Sequence, residues 1–266
     1  MSRVPPPPTP PPTGEHRTHG SPPPSPVSVG DGLVLVAWLV LGQILLYGIA
    51  LGIGAVDRTG GTGDRFVQVA ILSAILASTL AWLAMRGRLS GALAPRRNAR
   101  ARDLFLGLGS GVAAFVVLLL ALGLVFQVIG FDPPEQQALQ DVVEGGVDAL
   151  LAITMAVLLA PVLEELVFRG ALHQGLRQRA GFWPAALMSS GVFAAVHLEV
   201  VMSSPVFLVQ LFLLGVLFAW LLERTGNLAA PILAHLVFNA ISMGLALLAS
   251  RFEDLEELAA LVVPWR

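Results

Sequence analysis

Three short polar motifs interrupt apolar stretches in the second half of the chain. In chain order they are an EExxxR motif at Glu164–Arg169, an FxxxH motif at Phe193–His197 and an HxxxN motif at His235–Asn239. An ionisable side chain at the centre of a membrane-spanning helix costs at least about 2.5–3.5 kcal/mol, so each is expected to have a partner or a function. Carboxylate, imidazole and carboxamide groups are those that acid/base hydrolysis uses, and the motifs together therefore predict a catalytic site.

The two carboxylates of the first motif are expected to differ in role. On a helix, Glu165 and Arg169 are four residues apart and share a face, so they can form an ion pair. Glu164 is turned about 100° away from Glu165 and is less well placed for that arginine. We therefore predict that Arg169 neutralises Glu165 and that Glu164 stays available as a proton acceptor. In the alternative, both carboxylates merely pair with Arg169 near the cytoplasmic boundary.

The other two motifs each place two functional side chains on one helix face. Phe193 and His197 share one face, and His235 and Asn239 share a stripe of another helix, because each pair is four residues apart. The His and Asn side chains offer donors that could hold a developing oxyanion. Alternatively, each could be an interhelical hydrogen-bonding group that specifies packing. His173, beyond the first motif, is expected to be interfacial.

The sequence leaves the cofactor undetermined. Glu164, Glu165, His197 and His235 could supply ligands to a zinc ion in principle. The chain has no cysteine and no HExxH motif, so it lacks the most specific zinc signatures. A divalent metal therefore stays an open alternative to a metal-free site.

The elements that carry these motifs are predicted to be membrane-spanning helices. The chain is 55% hydrophobic and only 13% charged, with a mean hydropathy of +0.76, whereas soluble domains are about a quarter charged. A span needs about 20 apolar residues. We predict an all-α, polytopic transmembrane helical bundle of about seven spans, at 33–56, 66–85, 104–129, 149–170, 183–202, 205–223 and 228–249. The net charge of −2 gives no indication of a nucleic-acid partner.

The chain is predicted to have four parts. Residues 1–30 contain most of the 19 prolines and are expected to form a disordered, Pro-rich cytoplasmic tail. Residues 31–148 form N-terminal transmembrane helices, 149–249 form the catalytic helical core, and 250–266 form a C-terminal tail.

The arginines predict the orientation in the membrane. Six of them lie between the second and third predicted spans: Arg86, Arg88, Arg96, Arg97, Arg100 and Arg102. Short loops rich in basic residues face the cytoplasm. With seven spans, the N-terminus is then cytoplasmic and the C-terminal tail lies outside. All 16 basic residues are arginines, which suggests a GC-rich genome, and we expect the protein in a bacterial cytoplasmic membrane.

In this order, the three motifs resemble the CPBP intramembrane protease family, also called the CAAX-protease and bacteriocin-processing or Abi family. The resemblance covers roughly residues 149–245. It implies an intramembrane endopeptidase, in a family often described as metalloproteases, that acts on membrane-associated proteins or peptides.

The resemblance also implies roles for individual residues. Glu164 and His197 would activate a water molecule for attack on a peptide carbonyl, and His235 with Asn239 would stabilise the oxyanion. The supporting residues would be Glu165, Arg169 and Phe193.

Two other functions stay open. A catalytically silent membrane scaffold could keep the same fold. A proton-coupled carrier could use intramembrane Glu and His residues as a relay, although carriers commonly show internal repeats, of which we find no convincing example. The expected partners are the lipid bilayer and a protein or peptide substrate, and the sequence does not determine the oligomeric state.

Overall fold

The computed structural model describes residues 27–56, 61–129, 146–197 and 205–250, and within these ranges every regular element is a helix. Numbered in chain order, the helices are α1 Val29–Gly52, α2 Thr62–Met85, α3 Leu89–Leu93, α4 Ala101–Ile129, α5 Gly146–Arg177, α6 Phe182–Val196, α7 Pro205–Thr225 and α8 Ala229–Ser250. Helix α5 contains two π-helical segments, Thr154–Leu159 and Glu165–His173. The prediction of an all-α fold is confirmed.

Seven of these helices are apolar enough to lie in a membrane. Five of them, α1, α2, α4, α5 and α7, are also long enough to cross it, whereas α6 and the Ala229–Leu245 part of α8 are shorter apolar stretches. Large apolar side chains cover the outer surface, where Leu41, Leu120 and Leu150 are each more than 60% exposed. Water does not tolerate such a continuous apolar surface, but lipid does. The chain is therefore an integral membrane protein with about seven spans, as predicted.

Two predicted boundaries differ from the ends of the helices. Helix α1 begins at Val29, inside the predicted tail, because Ser28 and Asp31 form a capping box at its first turn. The predicted fifth span runs to residue 202, whereas α6 ends at Val196, and residues 198–202 of that span lie outside the described residues. Residues 1–26 of the predicted N-terminal tail and 251–266 of the predicted C-terminal tail lie outside the described residues.

The buried apolar side chains form two clusters within the bundle. One core is formed mainly by buried side chains of α1, α2, α5 and α6, and the other by those of α4, α7 and α8. Leu222 of α7 lies in the first core, so α7 contributes to both. Helix α4 approaches α8 closely at Gly107 and Gly111, where an added Cβ would lie 2.6 Å from the carbonyl oxygens of Ala230 and Ala234, respectively. Only glycine permits this approach. Helix α8, which carries the third motif, is thereby held against α4.

Candidate active site

The antiparallel pair of α5 and α6 brings the first two motifs together. Near the turn, His173 Nδ1 lies 3.4 Å from Ser189 Oγ. Further along, the rings of Phe168 and Phe193 meet edge to face with centroids 5.2 Å apart. Glu164 and His197 are the next residues in this register, each about 20 Å from the turn at 1.5 Å per residue. The two arms of the hairpin therefore place the carboxylate and the imidazole at one depth.

Helix α8 reaches the same depth from a different starting level. If α6 and α8 were straight, parallel and started at the same membrane surface, His235 would lie about 10 Å nearer to that surface than His197. In the structure, Leu228 packs on Gly170, well inside α5, where an added Cβ would lie 3.0 Å from the leucine Cδ1. His235 follows Leu228 by about as many residues as separate Gly170 from Glu164. The expected misalignment is therefore absent, because α8 begins deep within the bundle.

Glu164 lies between the two imidazoles. Its Oε1 is 3.7 Å from His197 Nε2, and its Oε2 is 3.9 Å from His235 Nε2. The Glu164 side chain is 15% exposed and that of His197 is 25% exposed, whereas Glu165 is fully buried. The carboxylate predicted to stay free of Arg169 is thus the one that faces both histidines and is accessible from outside the protein.

The hydrogen bonds of the two histidines fix which ring nitrogens carry protons. His197 Nδ1 lies 2.7 Å from the Phe193 carbonyl oxygen, which can only accept, so Nδ1 is the donor. In the neutral ring, His197 Nε2 is then an acceptor directed at Glu164. His235 Nδ1 lies 3.1 Å from Glu165 Oε1. Because Arg169 pairs with the same oxygen, Glu165 is anionic there and His235 Nδ1 is likewise a donor.

A buried ion pair lies behind the histidines. Arg169 Nη1 donates to Glu165 Oε1 over 3.0 Å, as the spacing of four residues predicts. The guanidinium carbon lies 4.3 Å from the ring centroid of Phe193 and 5.2 Å from that of Phe218. Aromatic faces stabilise a cation that has few other partners. The arginine is therefore enclosed by rings and held to a single carboxylate.

Asn239 is held by the main chain of α5. Its Nδ2 donates to the Ala156 carbonyl oxygen over 2.7 Å. Ala156 lies in the first π-helical segment of that helix. The carboxamide predicted to face a substrate thus uses one of its two N–H groups to join α8 to α5.

Sequence reasoning missed one residue of the site region and misplaced another. Phe218 belongs to none of the motifs, yet its ring stacks on His235 with centroids 4.8 Å apart. A phenylalanine inside an apolar span gives no signal that distinguishes it from a lipid-facing one. His173 was predicted to be interfacial, but it is buried, since the first turns of α6 cover it with Phe182 and Ser189.

The described residues do not form a metal site in this conformation. No group of three or more His, Asp or Glu side chains among residues 27–56, 61–129, 146–197 and 205–250 is placed to hold one ion. Of the candidate ligands, Glu165 is already engaged, because its Oε1 accepts from Arg169 and His235. In this conformation the candidate zinc ligands Glu164, Glu165, His197 and His235 are thus not arranged to hold one ion.

The part of the chain that carries these motifs matches a known family. Residues 146–241 match the family described as Rce1-like, type II CAAX prenyl endopeptidase. The match contains all three motifs in the order in which the sequence presents them. The match thus confirms the resemblance of this region to the CPBP membrane proteases that the three motifs indicated.

Curated relatives resemble the chain over part of its length. The "Putative membrane peptidase YdiL" of Bacillus subtilis is 29% identical over 149 residues, which cover 54% of this chain and 58% of that protein. An uncharacterized 24.3 kDa protein of Escherichia coli is 33% identical over 100 residues, covering 37% of this chain and 44% of that protein. The chain thus spans about half the length of these relatives. No solved structure matches the chain significantly.

Proposed function

We propose that this chain is an intramembrane endopeptidase that hydrolyses a peptide bond of a membrane-associated protein or peptide with a water molecule activated at Glu164. The observation that carries the proposal is the position of the Glu164 carboxylate, with the Nε2 atoms of His197 and His235 at 3.7 and 3.9 Å. A family of membrane proteases supplies the reaction class.

Glu164 and His197 are suited to activate a water molecule together. Their facing atoms, Oε1 and Nε2, are both acceptors when the imidazole is neutral, and 3.7 Å is too long for a direct hydrogen bond. A water molecule that donates one O–H to each acceptor fits between such groups. As its oxygen attacks the peptide carbonyl carbon, one proton passes to Glu164. A new C–O bond forms and the carbonyl oxygen becomes an oxyanion.

His235 and Asn239 are suited to stabilise that oxyanion. His235 Nδ1–H donates to Glu165, so its Nε2 can donate to the oxyanion only when the ring carries a second proton. Asn239 keeps a second N–H on Nδ2 beyond the one used by Ala156. When the tetrahedral intermediate collapses, the C–N bond breaks and the leaving amine takes the proton from Glu164. The products are a carboxylic acid and an amine.

The proposed setting is a bacterial cytoplasmic membrane with the N-terminus in the cytoplasm. The arginines of the loop between α2 and α4 support this orientation through the positive-inside rule. Arg177, at the end of α5, lies on the same side, since its guanidinium bonds Glu223, which also pairs with Arg96 of that loop.

The test compares purified wild type with single variants in lipid, using a library of membrane peptides as substrate. Glu164→Gln keeps the size of the side chain but removes the base, so we expect a fall in kcat of roughly 10²–10⁴-fold with unchanged folding. Asp148→Asn, on the same helix but paired with Arg65 and Thr62 far from the site, is the matched control and should keep most activity.

Two further arms make the result specific. Glu165→Gln should lower both activity and thermal stability, because the buried Arg169 loses its counter-charge. Each protein is also assayed with a chelator, and loss of activity that added zinc restores would assign a metal to the site. If Glu164→Gln folds and cuts as well as wild type, the mechanism is wrong. If folded wild type cuts no peptide, a silent scaffold replaces the peptidase.

A further inference from the structure

We infer that Pro161 is a positioning residue, because its missing N–H leaves the Ala156 carbonyl free to hold Asn239. The inference goes beyond the three motifs, which do not contain Pro161. It rests on the proposed function only where it concerns activity, since the contact itself is structural.

The main-chain hydrogen bonds of α5 explain why Ala156 needs a partner from outside the helix. An α-helical carbonyl accepts from the residue four positions later, and a π-helical carbonyl from the residue five positions later. For Ala156 these donors would be Ala160 and residue 161. Ala160 N–H already donates to Met155 O, as the π-helical register requires. Proline has no N–H, so the second donor does not exist.

Asn239 supplies the donor that the helix lacks. Its Nδ2 lies 2.7 Å from the Ala156 oxygen, which is a short and favourable hydrogen bond. A carbonyl without a partner is costly inside a membrane, so this bond restrains the Asn239 side chain to one rotamer. The π-helical segment ends at Leu159, and Glu164 follows Pro161 by three residues. One proline therefore sets the register of α5 before the catalytic carboxylate and anchors a residue of α8.

A proline that merely kinks the helix would not require the bond to Asn239, and this difference can be measured. The chain contains three asparagines, Asn98, Asn227 and Asn239. Labelling with ¹⁵N-asparagine therefore gives three side-chain amide signals, and Asn239→Asp assigns the one of interest. Asn227 reports on folding, because its Nδ2 is buried and bonded to Asp103.

The variants Pro161→Ala and Pro161→Ser restore the N–H at this position and should let it compete for the Ala156 carbonyl. We expect the Asn239 amide proton signal to lose its hydrogen-bonded shift while Asn227 stays native. The control is Pro184→Ala, because Pro184 is exposed in the first turn of α6, where a helix needs no internal donor. It should move none of the three signals.

Activity provides a second readout. If the bond positions Asn239 for the reaction, Pro161→Ala lowers kcat by roughly 10- to 100-fold with KM little changed. Unmoved Asn239 signals in folded Pro161 variants would overturn the inference while leaving the proposed function standing. Moved signals in a protein whose wild type cuts no peptide would overturn the proposed function and leave the anchor standing.

If both Pro161 variants fail to fold, the contact between Asn239 and Ala156 can still be tested by a substitution at Asn239. Asn239→Asp keeps the side-chain size, but its carboxylate cannot donate to Ala156. It should lower kcat while Asn227 keeps its native signal. An Asn239→Asp protein with wild-type kcat would contradict a positioning role for this contact.

Discussion

At the residue scale, the oxygen Oε1 of Glu165 organises the site. It accepts from Arg169 Nη1 over 3.0 Å and from His235 Nδ1 over 3.1 Å. Both Glu165 and Arg169 are buried, with exposed fractions of 0% and 1%. A buried charge without its partner is strongly destabilising, whereas the complete pair is close to neutral. The pair therefore contributes orientation of His235 more than stability.

This balance predicts different results for single and paired substitutions. Arg169→Met should lower the free energy of unfolding by about 3–5 kcal/mol, because Glu165 is left as an unpaired buried charge. The double variant Glu165→Leu/Arg169→Met should recover much of that loss, but without activity, since His235 has no acceptor. Reversible chemical unfolding in detergent measures the free energy of unfolding of both variants.

The control for this prediction is an arginine at the edge of the bundle. Arg177 pairs with Glu223 where both side chains are about a quarter exposed. Exposed pairs contribute about 0–1 kcal/mol, so Arg177→Met should change the free energy of unfolding little. Equal losses for Arg169→Met and Arg177→Met would contradict the buried-charge argument.

At the element scale, the position of α8 depends on close contact with α4. An added Cβ at Gly107 would lie 2.6 Å from the Ala230 carbonyl oxygen, closer than atoms can approach. Since Ala230 lies in the first turn of the helix that carries His235 and Asn239, a shift of α8 moves both side chains and takes His235 away from Glu164. The α4–α8 contact thus determines the geometry of the site as well as the packing of the bundle.

The prediction for this contact is that Gly107→Ala lowers stability by about 1–3 kcal/mol, as overpacking does, and lowers kcat. The matched control is Gly109→Ala in the same helix, where an added Cβ meets no atom within 4 Å. Gly109→Ala should leave kcat unchanged and the melting temperature unchanged or slightly raised. Equal behaviour of the two variants in thermal unfolding and peptide cleavage would show that the contact is adaptable.

At the scale of the whole molecule, a charged network joins the loop between α2 and α4 to the end of α7 and the start of α8. Arg96 pairs with Glu223 over 2.8 Å. Arg97 makes two hydrogen bonds of 2.7 Å to Asp103, which raise the pKa of Arg97 above its usual value and keep it charged. Asn227, just before α8, donates to the same carboxylate. The network ties the start of α8 to this loop.

The placement of these charges predicts which surface faces the cytoplasm. The chain has no native cysteine, so single introduced cysteines can be labelled without background. Arg102→Cys replaces an exposed arginine beside the loop between α2 and α4. Ala55→Cys replaces an exposed residue just after the C-terminal end of α1. A membrane-impermeant maleimide added to intact cells should label Ala55→Cys and leave Arg102→Cys unlabelled until the membrane is opened. The reverse pattern would invert the proposed topology.

The sequence alone determined the chemical groups, the class of fold and one contact. Apolar runs of helix length require a membrane bundle, because only helices satisfy their own main chain in lipid. The spacing of four residues predicted the pair of Glu165 and Arg169, since this distance is fixed within one helix. Faces of individual helices follow from local periodicity, so they were available without the structure.

The tertiary structure decided how deep in the bundle each functional helix face lies and which residues it contacts. His235 lies only six residues after the start of α8, and it reaches Glu164 because that helix begins beside Gly170. No local sequence pattern shows where a helix begins relative to its neighbours. The stack of Phe218 on His235, the burial of His173 and the bond from Asn239 to Ala156 have the same origin. Contacts between helices depend on small residues, missing main-chain donors and interhelical packing, which act across the bundle and not along the chain.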